Sequence, residues 1–519
     1  MNAPNLDKAG PAEVEPSKTG KVIGISIIAA LGGFLFGYDS SVINGASAGV
    51  YHYFNITNHA VQGQIVAIAL LASAVGALVG GRLANKFGRK KVMVTAAILF
   101  LIAGLGQGLP FGVWDFVFWR IVGGFAIGLA AVISPMYISE VAPAHLRGRL
   151  SSLFQFAIVI GIFGTQLVNQ LLIAAAGGPT KFPAPPDGSQ AAVQANNEFW
   201  LGLQTWQWMF LCMTVPAVIY GLLALTLPES PRYLVSIDRL DQAKDVLSKI
   251  FKGDVAPKVA RIKESLEGEP KPSWADIKGP RLGLLPIVWV GIILAVFQQF
   301  VGINAVFYYS NLIWASVGFD TSKAFLTSTI ISAVNVIFTV VAIVFIDRVG
   351  RKPLLIIGSC GMFAMLATLT IVFATAPAVT KGSPEYLADP ATLNNPILGD
   401  TQGLIAVLAL NIYVAFFAAT WGPIVWVLLG EMFSNSIRAI ALSVGVMANW
   451  IANYIVSVSF PTLVGISLGL AYGLFTICAF ASIFYVWKYV KETKGVQLED
   501  MEELEGIHQL DKVNPNPAT

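Results

Sequence analysis

The segment Asn85-Lys86-Phe87-Gly88-Arg89-Lys90 returns 262 residues later as Asp347-Arg348-Val349-Gly350-Arg351-Lys352. Glu140, followed seven residues on by Arg147, returns 291 residues later as Glu431 and Arg438. Pro228-Glu229-Ser230-Pro231-Arg232 has a degenerate partner in Lys491-Glu492-Thr493-Lys494-Gly495, the two glutamates lying 263 residues apart. Three motifs in one order at nearly one offset form an internal repeat, which outranks any local reading of structure. Each copy follows the second, fourth or sixth long apolar run of its half, so the chain reads as two parallel six-helix halves. Loop topology alone explains the positive charge of these segments but not the order Gly-Arg-Lys, Glu-x6-Arg, Pro-Glu-Ser. Parallel halves with a midplane site between them are one of the major transporter architectures, in which the halves rock about bound substrate.

The apolar runs are 22–45, 62–82, 92–110, 116–138, 151–174, 207–227, 286–312, 325–346, 354–374, 403–429, 439–462 and 467–488. Each is close to the roughly 20 helical residues that a bilayer core requires. Of the 519 residues, 55% are apolar and 12% charged, against about a quarter charged in an ordinary soluble domain. The expected fold class is an all-α membrane protein with twelve transmembrane helices. The runs occupy about half the chain, which leaves no large extramembrane catalytic domain, and a net charge of +3 points to no acidic partner, nucleic acid included. Cys212, Cys360 and Cys478 lie in apolar runs, too scattered for a metal site and misplaced for a disulfide framework. The runs carry no nucleophile, metal cluster or carboxylate pair, and His52, His59, His145 and His508 fall in loops or the tail. No enzyme activity, metal or cofactor is expected.

Lys and Arg set the orientation. With the N-terminus inside, the outer connections hold Lys181, Lys323 and Lys381 and no other Lys or Arg, while the inner ones hold Lys86, Arg89, Lys90, Lys91, Arg147, Arg149, Arg348, Arg351 and Lys352. The positive-inside rule puts both termini in the cytoplasm. The expected organisation is a tail at 1–21, a six-helix half at 22–227, a cytoplasmic helical linker at 228–285, a second half at 286–488 and a tail at 489–519. Leu240–Phe251 and Val259–Leu266 mix charge with apolar residues at helical spacing, as linker helices should. Leu498, Met501, Leu504 and Ile507 predict one more short helix in the tail, with disorder after Asp511. The outer loops 175–206 and 375–402 read as solvated connections.

Polar groups within spans are costly and are functional hypotheses by default. Two formal charges lie well inside the runs, Asp39 on the first and Arg120 on the fourth. From the span edges, Asp39 is about 9 Å and Arg120 about 6 Å below the outer boundary, close enough in depth to meet. Such a pair could simply lock two helices. A carboxylate whose cationic partner comes and goes also changes its proton affinity, which is what proton coupling requires. The seventh run carries Gln298, Gln299, Asn304 and Tyr308, amides and a phenol suited to sugar hydroxyls. On an ideal helix Gln298 lies about 120° from Asn304, and Gly302 between them predicts a bend or unwinding.

These segments together resemble the sugar porter family of the major facilitator superfamily. The resemblance rests on Gly81-Arg82 through Arg89-Lys90, Pro135-Met136-Tyr137-Ile138-Ser139-Glu140, Pro228-Glu229-Ser230-Pro231-Arg232, Gln298-Gln299-Phe300-Val301-Gly302-Ile303-Asn304, Trp421-Gly422-Pro423 and Glu492-Thr493-Lys494-Gly495, and it spans about residues 22–500. One departure is Lys491, where the family usually has proline. The resemblance implies sugar transport, with sugar contacts from Phe36, Gln155, Asn335, Trp421, Trp426, Asn449 and Trp450 beside the seventh-run residues. It also implies that Glu140, Arg147, Glu229, Arg232, Glu431, Arg438, Arg89, Arg348 and Arg351 form a cytoplasmic gate, with ion pairs such as Glu140 to Arg147 and Glu431 to Arg438 bridging the halves when the cavity opens outward. An aspartate at position 39 marks the family's symporters and an asparagine its mammalian facilitators, although some facilitators keep the aspartate. Ile162 and Asn449 stand where a xylose symporter has glutamine and the glucose facilitators have Ile and Asn, which leans toward a hexose. The leading expectation is a proton-coupled monosaccharide symporter of a bacterial cytoplasmic membrane, its partners a sugar, a proton and the lipid bilayer, with a monomer sufficient. An uncoupled facilitator and a non-transporting sugar sensor are the alternatives.

Overall fold

The computed structural model describes residues 17–177, 196–268, 276–279, 282–317, 319, 321–380, 396–433 and 437–493. The expected tail helix at Leu498–Ile507 and the middle of both long outer loops lie outside them. Twelve helical segments are long and apolar enough to cross a membrane. The first half contains α1 (Thr19–Tyr53), α2 (His59–Phe87), α3 (Arg89–Gly108), α4 (Val113–Val141), α5 (Ala144–Ala175), α6 (Thr205–Leu211) and α7 (Thr214–Thr226). Three short helices follow, α8 (Pro231–Ser236), α9 (Leu240–Ile250) and α10 (Ala256–Gly268). The second half contains α11 (Pro286–Phe300), α12 (Ile303–Ser316), α13 (Thr321–Val349), α14 (Arg351–Thr375), α15 (Asp400–Ala419), α16 (Trp421–Glu431), α17 (Arg438–Ile466) and α18 (Leu468–Tyr489).

Three spans are broken, each for a local reason. A proline ring collides with the carbonyl four residues before it and lacks the N–H that would bond there. Pro216 accordingly separates α6 from α7 at Cys212, and Pro423 ends α15 at Ala419. The break between α11 and α12 falls at Gly302, whose φ of 88° is left-handed. A Cβ at this position would also collide with the ring of Phe475. A left-handed backbone alone costs a residue bearing a Cβ roughly 1–2 kcal/mol. Gly302→Ala is therefore expected to lower the melting temperature in detergent and to weaken sugar binding with it; a variant matching wild type in both would show that the break tolerates any residue.

Within the first half α1 packs on α5 and α4, and α2 on α4; in the second α14 packs on α18 and α15, and α11 on α17. The halves meet where α2 lies on α17, α5 on α13 and α1 on α12. The described cross-half hydrogen bonds sit at the end opposite the basic loops. Asn44 on α1 donates from Nδ2 to Ser310 Oγ at 2.9 Å and accepts at Oδ1 from Asn311 N at 3.1 Å. Asn311 Nδ2 donates to Asn44 O at 3.2 Å, and Ser328 on α13 donates to Asn311 Oδ1 at 2.6 Å. Tyr454 on α17 donates to Gln64 Oε1 on α2 at 2.9 Å. This neutral latch joins the halves at that end.

Candidate substrate and proton sites

Asp39 and Arg120 meet inside the first half, 0% and 2% exposed. Arg120 Nη1 lies 3.4 Å from Asp39 Oδ1. The same nitrogen donates to Asp39 O and to Gln107 Oε1, both at 3.3 Å, and Nη2 donates to Val66 O at 3.2 Å. Gln107 Nε2 on α3 donates to Asp39 Oδ1 at 3.5 Å. Among the described residues, Asp39 Oδ2 and Arg120 Nε have no hydrogen-bond partner. The depths differ from expectation: α1 continues past residue 45 to Tyr53, which places Asp39 about 21 Å from that helix end, while Arg120 is about 10 Å from the start of α4. They still meet because α1 overshoots the start of α4.

The second-half amides form one hydrogen-bonded chain. Gln298 Nε2 donates to Trp421 O at 3.0 Å and to Gly422 O at 3.2 Å. Asn449 Nδ2 donates to Gln298 Oε1 at 2.7 Å, Gln299 Nε2 to Asn449 Oδ1 at 3.0 Å, and Asn304 Nδ2 to Gln299 Oε1 at 2.6 Å. The break at Gly302 brings Asn304 to Gln299, which a continuous helix would not do. Tyr308 OH accepts from Asn453 Nδ2 at 3.4 Å. Phe36 on α1 packs against Trp450 on α17 with ring centroids 5.6 Å apart, and Trp450 Nε1 has no partner among the described residues. Trp421 is fully buried and its Nε1 donates to Leu355 O and Ser359 Oγ, both at 3.0 Å, so its N–H ties α16 to α14. Asn335 is buried, whereas Gln155 and Trp426 are half-buried; none of the three belongs to the amide chain.

Losing one hydrogen bond to a neutral partner costs roughly 0.5–1.5 kcal/mol, or about two- to tenfold in affinity. Gln299→Ala or Asn304→Ala is expected to weaken sugar binding by that factor without unfolding the protein. An unchanged dissociation constant in detergent would make these amides helix glue.

At the end that carries the basic loops the described ion pairs lie within each half. Glu140 is held by Arg89, with Nη2 to Oε1 at 2.7 Å and Nε to Oε2 at 2.9 Å, and it also accepts from Ser230 Oγ. Glu431 is held by Arg351 in the same fork, at 2.9 and 3.1 Å, and by Thr493 Oγ1 at 2.7 Å. Glu229 accepts from the backbone N–H of Arg89 at 2.9 Å and Lys90 at 3.3 Å; Glu492 accepts from those of Arg351 and Lys352, both at 3.0 Å. Each set closes within its own half. The Gly-Arg turns that open α3 and α14 deliver these two arginines to the glutamates. The side chains of Arg147 and Arg438 lie outside those described, and Arg232 and Arg348 are engaged as well.

Residues 25–504 match the family described as Sugar (and other) transporter. The chain belongs to that sugar transporter family. A glucose transport protein of Synechocystis sp. is 47% identical over 92% of this chain and 97% of its own length. A D-xylose-proton symporter of Escherichia coli strain K12 is 36% identical over 93% and 95%. Among solved structures, the partially occluded inward open conformation of the xylose transporter XylE from E. coli has a TM-score of 0.73 at 34% identity, covering 92% of this chain and 100% of that one. The protein is thus a multi-pass sugar transporter of the major facilitator fold and not an enzyme. Sequence reasoning had passed over Asn44, Gln107, Asn311 and Asn453, each an amide within an apolar helix. That setting was the signal available for finding them.

Proposed function

We propose that this sugar transporter imports a hexose such as glucose together with a proton, by alternating access across a bacterial cytoplasmic membrane with both termini inside. Two six-helix halves at 22–227 and 286–488, joined by the linker 228–285, would rock about sugar held by the amide chain. Phe36, Gln155, Asn335, Tyr308, Trp426 and Trp450 would line it, with Trp421 supporting from behind. The observation that carries coupling is the buried Asp39, one oxygen of which lacks a partner while the other faces Arg120. A carboxylate so placed can accept a proton at the free oxygen and lose its hold on the cation. The hexose reading is supported by Asn449 in the amide chain and by the 47% identity to a glucose transport protein.

Uptake of labelled glucose, xylose and an inositol into proteoliposomes, with and without an imposed proton gradient, tests both parts. Glucose accumulation that follows the gradient is the expected result. Clearly more efficient uptake of xylose or inositol would overturn the hexose reading. Counterflow without any gradient effect would leave an uncoupled facilitator.

A further inference from the structure

We propose that Gln107 is a positioning residue that holds Arg120 in place while Asp39 is neutral; the transport side of this proposal rests on the coupling reading above. When Asp39 takes up a proton it stops being a counter-ion, and a buried cation without compensation is strongly destabilising. Arg120 then still has three neutral oxygens within 3.3 Å: Asp39 O, Val66 O and Gln107 Oε1. Two are main-chain carbonyls, from α1 and α2. The third is the one side chain in the set, and it comes from α3.

The geometry of Gln107 suits both charge states of its neighbour. It is 0% exposed, and its amide nitrogen reaches both Asp39 Oδ1 and Trp119 O at 3.5 Å. Its oxygen accepts from Arg120 at 3.3 Å. With Asp39 ionised the amide bridges acid and base; with Asp39 neutral it keeps the contact to the arginine, and its N–H retains Trp119 O. An apolar residue of equal size would pack in the same space and supply neither contact. Other ionisable side chains near the pair are the phenols of Tyr51 on α1 and of Tyr308 and Tyr309 on α12. Asp115, five residues before Arg120 on α4, accepts from Phe111 N and Trp119 Nε1 instead.

The experiment is a double-mutant cycle read by thermal unfolding of the purified full-length protein, with transport measured on the same variants. The four proteins are wild type, Asp39→Asn, Gln107→Met and the double variant. Asparagine at 39 mimics the neutral acid, so in that background Arg120 depends on the neutral oxygens. The expected result is that Gln107→Met lowers the melting temperature more in the Asp39→Asn background than in wild type. Groups that share partners show this non-additivity, whereas simple packing gives equal losses in both backgrounds. Equal losses would overturn the proposal. Should the double variant fail to express, Gln107→Asn, which keeps the amide but withdraws it from Arg120, takes its place in the cycle.

Transport separates this proposal from the one beneath it. In vesicles Gln107→Met is expected to lose most gradient-driven accumulation and to keep counterflow within about twofold of wild type. Accumulation at the wild-type level in Gln107→Met would overturn the role in coupling. If wild type shows no gradient effect while the unfolding cycle is non-additive, the coupling reading fails and the positioning of Arg120 stands.

Discussion

Replacing Asp39 by Asn is expected to bring the steady-state accumulation of sugar to about the equilibrium level while sugar exchange across the membrane continues. An asparagine presents the neutral form permanently, so the side chain no longer alternates between charged and uncharged states as the halves rock. Arg120 loses its counter-ion, and a lone buried cation is costly, so a lower melting temperature should accompany the change. Arg120→Leu removes the partner that favours the ionised carboxylate and leaves desolvation to favour the neutral one, which uncouples transport by the opposite route. If the pair merely locked α1 to α4, both single variants would lose expression and sugar binding together, and a double neutral variant would regain full accumulation. Accumulation and counterflow measured for all three in the same vesicles decide between these, and accumulation that persists in Asp39→Asn would sink the coupling role.

Asn44→Leu should shift the resting population toward an outer-open form. The substitution removes the side-chain bonds to Ser310 Oγ at 2.9 Å and Asn311 N at 3.1 Å, both of which join the halves. At about 1 kcal/mol net each, two such bonds correspond to roughly a thirtyfold change in the ratio of closed to open forms. Ser47, one turn further along α1 and buried in this state, can report the change as Ser47→Cys, with Cys212, Cys360 and Cys478 replaced by serine. A membrane-impermeant thiol reagent added outside should label it faster in the Asn44→Leu background. Equal labelling rates would show that apolar packing, and not this latch, holds the outer end shut.

How much of this could be read from the residues depended on the range of the interaction. Twelve spans and their parallel halves follow from hydropathy and from motifs that recur in one order at nearly one offset, both properties of the chain itself. The break at Gly302 was equally local, since glycine is the residue that enters a left-handed turn freely. The break at Thr420 was not foreseen, although Pro423 and its missing N–H were in plain view. Longer-range choices were harder. Arg89 reaches Glu140 from 51 residues away in sequence, a contact that the packing of α3 on α4 makes and no local pattern announces. Gln107 was passed over because nothing local says that α3 brings it against α1 and α4 together. The length of α1 was underestimated because Asn44, Ser47 and His52 lower the hydropathy of its outer third without ending the helix.

The carboxylates of Glu229 and Glu492 bear on the mechanics of the cycle. Each receives the first two main-chain N–H groups of α3 or α14, where a helix leaves its donors unbonded and its dipole favours negative charge. Each glutamate follows the sixth span of its half and grips the start of the third, so both halves are braced at the end with the basic loops like plates bolted across one edge. A braced plate tilts without bending there, and elastic deformation has to collect where the helix walls are interrupted. Those interruptions are at Cys212 in the first half and at Gly302 and Thr420 in the second, while α1, α4 and α5 run unbroken. Bending in the cycle is therefore expected at these three interruptions, two of them in the half that holds the amide chain and one in the half that holds the Asp39 and Arg120 pair.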